Sequence, residues 1–151
     1  MSLSRREFLK SVYITVGGIM LITKNFTTNE MLCQCNYGCG QDEMNDEFMR
    51  MLQELRDQAG FAFRLSSARR CELHNSDVSS HHLKKGIHTY GKAVDILTGH
   101  ISTTKVLKLI KQAQNIGFTG LGLNLRGNRG NRFIHIDNRD SDFSPPAIWT
   151  Y

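Results

Sequence analysis

Two histidines and two aspartates stand at spacings that could serve metal chemistry. His88 and Asp95 lie either side of a glycine in His88-x2-Gly91-x-Ala93-x-Asp95, and His135 is followed by Asp137 in Phe133-Ile134-His135-Ile136-Asp137. Two imidazoles and one carboxylate suit a catalytic zinc ion, Zn2+, with its fourth position left for water. Such an ion lowers the pKa of the water and polarises a carbonyl. A second carboxylate close by could take the proton and pass it on. Ser67-Ala68-Arg69-Arg70 adds a polar, basic group at the end of a candidate strand. Taken singly, each residue has an ordinary explanation: a lone histidine is commonly a surface or hydrogen-bonded residue, Asp95 could satisfy backbone donors, and Asp137 could orient His135 or Arg139. Only the joint pattern carries the metal reading. His74, His81, His82 and His100 have no such pattern, although the His81-His82 pair is near enough in sequence to line the site.

These side chains need a scaffold. Alternation puts His135 and Asp137 on one face of a strand, and it turns Val94 and Ile96 away from Asp95 on another, over residues 92–97. Asn45 caps a helix whose Phe48, Met51, Leu52, Leu55 and Ala59 fall on one stripe, ended by Gly60. Residues 61–65 alternate and predict a strand. Residues 66–89 are polar and predict a long, functional loop. Thr103 is the expected cap of a second helix with Val106, Leu107, Ile110 and Ala113 inward, closing near Gly117. Residues 121–123 and 133–136 predict a hairpin around the turn at 127–130. The order implies an α+β fold, a small antiparallel sheet with helices packed on one side.

A chain of 151 residues that is 40% apolar fits one globular domain. The formal charge of +5 hints at nucleic acid. However, Arg5, Arg6 and Lys10 belong to a leader, and the remaining basic residues never form a run with interleaved aromatics. No nucleic-acid partner is expected, and a mildly basic surface suits an anionic polymer equally. Ser4-Arg5-Arg6-Glu7-Phe8-Leu9-Lys10 matches a twin-arginine export signal, and the uncharged apolar run 12–22 is shorter than the ~20 residues a membrane span needs. Residues 1–24 are therefore expected to be a signal or anchor and residues 25–151 the folded domain. The expected location is the periplasm or cell envelope, with any membrane contact made through the leader alone.

Four cysteines, Cys33, Cys35, Cys39 and Cys71, would sit in an oxidising compartment. Disulfides, buried thiols and a second metal site are all open. The Cys-x-Cys and Cys-x3-Cys spacings do not match the usual Cys-x2-Cys zinc pattern.

At these residues the chain resembles the zinc peptidases of the hedgehog/D-Ala-D-Ala carboxypeptidase superfamily, in particular its small murein peptidases. The resemblance runs from about Phe26 to Tyr151. It is carried by Asn25-Phe26-Thr27 with Glu30, the stretch 67–75, His88-Thr89-Tyr90-Gly91-Lys92-Ala93-Val94-Asp95, His135-Ile136-Asp137 and Trp149. It implies a hedgehog/DD-peptidase-like fold with His88, Asp95 and His135 as zinc ligands. Arg70 matches an arginine that binds a substrate carboxylate or holds the site, and a guanidinium offers the bidentate fork for either task. Ser67 and His82 complete the expected substrate-binding set. Asp137 is the candidate general base, although relatives place that acid three residues before the last ligand, where this chain has Arg132. Asp137 could instead fix a ligand tautomer. Gly86, the segment 81–86 and Asn124-Leu125 also depart from the family pattern.

The expected function is zinc-dependent hydrolysis of peptidoglycan peptides, as a D,D-carboxypeptidase or murein endopeptidase, by a monomer. The alternative is a non-catalytic zinc module that binds cell wall.

Overall fold

The computed structural model describes residues 14–16, 19–40, 43–79, 81–140 and 145–151. The twin-arginine motif lies outside them. The apolar run expected as a leader carries two short strands, β1 (Ile14–Val16) and β2 (Ile19–Thr23), which pair antiparallel with each other and with β3 (Phe26–Thr27). Among the described residues no helix is long and apolar enough to cross a membrane.

The entry segment, without periodicity in the sequence, is nevertheless ordered by a local device. Glu30 N–H donates to Thr27 Oγ1 at 3.3 Å and Thr27 N–H donates to Glu30 Oε2 at 2.8 Å, a reciprocal cap for the single turn α1 (Thr28–Met31). Phe26 and Met31 are thereby driven fully into the core. α2 (Asp46–Ala59) follows as expected, with Phe48 N–H donating to Asn45 Oδ1 at 3.0 Å and Gly60 ending it in the left-handed conformation. Its stripe Phe48, Met51, Leu52, Leu55 and Ala59 is buried.

The strand expected over 61–65 is shifted. β4 is Leu65–Ser67, and Phe63, outside the strand, packs into the core. The long loop expected over 66–89 contains α3 (Glu72–Val78), capped by Cys71, and a 3-10 turn, Ile87–Tyr90. Both are short and largely polar, so neither leaves an apolar period. β5 (Ala93–Leu97) agrees with the expectation. α4 (Thr103–Ile116) is capped by Ser102, one residue earlier than predicted, and Leu109 faces inward while Leu107 is exposed. β6 (Gly120–Asn124) and β7 (Phe133–Asp137) form the predicted hairpin pair.

A last strand, β8 (Ala147–Thr150), escaped prediction and pairs parallel with β6. The main sheet thus runs β4-β5-β7-β6-β8, antiparallel apart from that edge pair. The fold is α+β. Val94, Ile96, Ile134 and Ile136 are fully buried in one core with the inward residues of α2 and α4. Fully burying each such side chain contributes roughly 1.5–3 kcal/mol. A one-residue slip of β5 or β7 would exchange this set for Asp95, His135 and Asp137, so burial fixes the register that aligns the polar residues.

Candidate metal centre

The polar face of the sheet is assembled by cross-strand pairing. Asp95 of β5 stands directly opposite His135 of β7. His88 arrives from the 3-10 turn, whose last residue leads into Gly91 at φ +67°. A side chain at Gly91 would also press on the Glu43 carbonyl at 2.8 Å, so glycine is required for the turn to dock there. His88, Asp95 and His135 are all buried.

Their ligand atoms converge. His135 Nδ1 is 2.9 Å from Asp95 Oδ1 and 3.2 Å from His88 Nε2, and His88 Nε2 is 3.4 Å from Asp95 Oδ1. The outward nitrogens are committed elsewhere. His88 Nδ1 meets the Ala68 carbonyl at 2.6 Å, and His135 Nε2 meets Asp137 Oδ2 at 2.8 Å. Both contacts need the ring N–H on that side, which assigns the tautomers and leaves lone pairs on His88 Nε2 and His135 Nδ1. Three acceptors therefore face one another at 2.9–3.4 Å. That arrangement repels itself unless a metal cation or a proton lies between them, and the donor set fits a metal ion held by two nitrogens and one oxygen.

The electrostatics agree. Burial pushes the His88 pKa down, the Asp95 carboxylate notwithstanding, so the ring is neutral and available as a ligand. Burial also opposes charge on His135, but the carboxylates of Asp137 and Asp95 outweigh it and raise its pKa. Without a metal, a proton on His135 fills the same electrostatic role. Asp95 pays a burial penalty that the two histidines more than offset, and it stays ionised far below the usual carboxylate range.

Arg70, adjacent in sequence to the α3 cap, bridges Ser67 and the metal centre. Its Nε donates to Ser67 Oγ at 2.8 Å and its Nη2 to Asp95 Oδ2 at 2.5 Å. Ser67 thus anchors the guanidinium. Of the two tasks implied for Arg70, holding the site is the one these contacts display. Arg70 also lines a cleft of about 500 Å³ with Tyr37, Arg69, Lys85, Thr89 and Tyr90.

Asp137 is fully buried behind His135, where it also accepts from Arg139 N at 3.0 Å, Nε at 2.9 Å and Nη2 at 2.6 Å. Burial opposes its charge, but His135 and Arg139 keep it ionised well below the ordinary range. Its oxygens point at partners on the side of His135 away from Asp95. His82 is exposed and turned to α3, with Nδ1 3.0 Å from the Ser76 carbonyl. These contacts do not bring it to the ligand group. Among the described residues no further His, Cys, Asp or Glu joins the three ligands.

Two supporting features went unpredicted. A Cβ at Gly120 would lie 2.1 Å from Asp137 Oδ1, and one at Gly122 would lie 2.7 Å from the Trp149 ring. The glycines open a notch in which Asp137 and Trp149 seat against the sheet, with the Trp149 ring 5.2 Å from His135 and 4.8 Å from the Arg139 guanidinium carbon. The Gly-Leu-Gly-Leu alternation of residues 120–123 was the available signal.

A family model described as Peptidase M15 matches residues 24–137, well over half of the chain. The chain belongs to the peptidase M15 family, hydrolases that are typically metal-dependent. No curated protein matches it.

Proposed function

We propose that this peptidase is a zinc enzyme of the cell envelope that hydrolyses peptide bonds in peptidoglycan. The observation that carries the metal reading is the convergence of His88 Nε2, His135 Nδ1 and Asp95 Oδ1, with the other ring nitrogens tied to Ala68 and Asp137. Bound zinc supplies Lewis-acid polarisation of the scissile carbonyl and acidifies a water molecule. The chain's own residues do the rest. Asp137 and the Ala68 carbonyl set the ring tautomers, and Ser67 and Arg70 hold Asp95. Arg69, Arg70 and Lys85 outnumber Glu72, which lies 3.9 Å from Lys85, in the lining of the cleft, and this net positive charge suits the carboxylates of a muropeptide. The paired arginines and apolar run at the N-terminus support export by the twin-arginine route, and we take the enzyme to act as a monomer.

Incubating zinc-loaded protein with purified muropeptides and resolving the products by mass spectrometry tests this. Loss of a terminal D-alanine identifies a D,D-carboxypeptidase, and cleavage of cross-linked dimers identifies an endopeptidase. No cleavage by the zinc-bound protein would sink the enzymatic reading. One observation favours a second reading, a zinc module that binds cell wall without turnover. Among the described residues no acidic side chain besides Asp95 joins the candidate ligand group to act as base. Co-sedimentation with intact sacculi and no released peptide would support that reading.

A further inference from the structure

The sequence holds a second chemical cluster that the peptidase site does not use. Cys33, Cys35 and Cys39 lie in the strap between α1 and α2, and Cys71 caps α3. None is joined to another in a disulfide. Their four sulfur atoms all lie within 4.8 Å of one another. Cys35 Sγ is 3.4 Å from Cys39 Sγ and 3.8 Å from Cys71 Sγ. A tetrahedron built on zinc–sulfur bonds of about 2.3 Å has edges of about 3.8 Å, so the spacing suits four thiolates around one ion. Two disulfides would instead sort the sulfurs into pairs of about 2.05 Å. An iron–sulfur cluster, with its own bridging sulfides, would hold the thiolates further apart than a single ion does.

Backbone N–H groups face two of the four sulfurs. Cys71 N–H donates to Cys33 Sγ at 3.3 Å, and His74 N–H donates to Cys71 Sγ at 3.4 Å. His74 Nδ1 is 3.2 Å from Cys33 Sγ. Such outer contacts orient and stabilise metal-bound thiolates. The irregular Cys-x-Cys-x3-Cys spacing is reconciled by the fold. Gly38 and Gly40, at φ +60° and +59°, turn the strap around Cys39, and the fourth ligand comes from a helix cap 32 positions further on.

We propose that Cys33, Cys35, Cys39 and Cys71 form a second, structural metal site that holds one zinc ion as a tetrahedral tetrathiolate. Each thiol gives its proton to solvent on binding. The ion clamps the strap to the start of α3, next to Arg70. The Tyr37 hydroxyl, which donates to Asp77 of α3, secures the tip of the same strap. Cys39, Cys71 and Tyr37 all line the cleft, so the clamp forms one of its walls.

The test uses the full chain, purified with reductant and reconstituted with zinc or cobalt. Elemental analysis is expected to give two zinc ions per chain, and one in the His88→Ala/His135→Ala variant. Cobalt in that variant is expected to show the thiolate-to-cobalt charge-transfer band of a tetrahedral sulfur site, which the Cys35→Ser/Cys39→Ser variant loses. Denatured wild type should titrate as four free thiols. The proposal is overturned if the histidine variant binds no metal or gives no thiolate band. It is equally overturned if the reconstituted wild type has lost hydrogens as disulfides. The histidine variant decides the matter even if the cysteine variant does not fold. Muropeptide cleavage plays no part in the readout, so failure of the peptidase reading leaves this result standing.

Discussion

Asp137 lies behind His135, with its Oδ2 2.8 Å from Nε2, while the opposite ring nitrogen points at Asp95. A carboxylate in that position makes the facing nitrogen a better metal ligand and fixes the ring's orientation. Asp137→Asn is therefore expected to lower zinc affinity at the His88/Asp95/His135 site by about 10- to 100-fold. Turnover should largely return at saturating zinc. Titrating activity against free zinc checks this, and lost turnover with zinc fully bound would instead place Asp137 in the proton transfer.

Gly120→Ala should act on the same contact without touching a charged group. The added Cβ would overlap Asp137, whose oxygen lies 2.1 Å from its position. Overpacking of this kind costs about 1–3 kcal/mol. We expect a lower melting temperature and weakened zinc binding together. Unchanged zinc affinity would show that Asp137 can move without consequence.

Arg70→Ala removes the guanidinium that donates to Asp95 Oδ2, while the other oxygen of the carboxylate faces the two histidines. Breaking a buried pair in this way costs about 3–5 kcal/mol. A bound metal supplies replacement charge, so the loss should be larger in the metal-free protein than in the zinc-loaded protein. Thermal denaturation of both forms, with and without a chelator, measures the difference. Equal losses would show that Arg70 and the metal do not share Asp95.

The raised pKa of His135 predicts a pH dependence of opposite sign for the two forms. In the metal-free protein the protonated ring stabilises the fold at pH below about 6.5, the ordinary histidine value, and that contribution is lost as pH rises through the raised value. Metal must displace this proton, so apparent zinc affinity should climb about tenfold per pH unit until the raised pKa is passed. The gap between metal-loaded and metal-free melting temperatures should therefore widen from acid toward neutral pH. A constant gap would contradict proton displacement from His135.

Two members of the candidate ligand group, Asp95 and His135, are legible because they sit in strands whose apolar neighbours announce the alternation. Val94 and Ile96 flank Asp95, and Ile134 and Ile136 flank His135, so alternation alone assigns the opposite faces of both strands. The α2 stripe and its Asn45 and Gly60 ends were equally plain. What the sequence hid is short or non-local. α3 has no apolar period, and Leu107 and Leu109 compete for the same inward stripe of α4. The β8 edge is set by the seat that Gly122 provides for Trp149, not by a pattern of its own. His82 is expected at the site from proximity in sequence alone, and the turn after α3 sets its Nδ1 3.0 Å from the Ser76 carbonyl.

The peptide that joins Arg70 to Cys71 has a consequence for experiment. The Arg70 amide donates to the His88 carbonyl at 3.3 Å, and the very next amide, that of Cys71, donates to Cys33 Sγ at 3.3 Å. Each amide exchanges with solvent only when its own surroundings open. A single backbone step thus carries two independent probes, one tied to the histidine turn and one to the thiol cluster. Deuterium uptake at these neighbouring positions would tell apart, within one spectrum, a molecule whose histidine turn has opened from one whose strap has come loose.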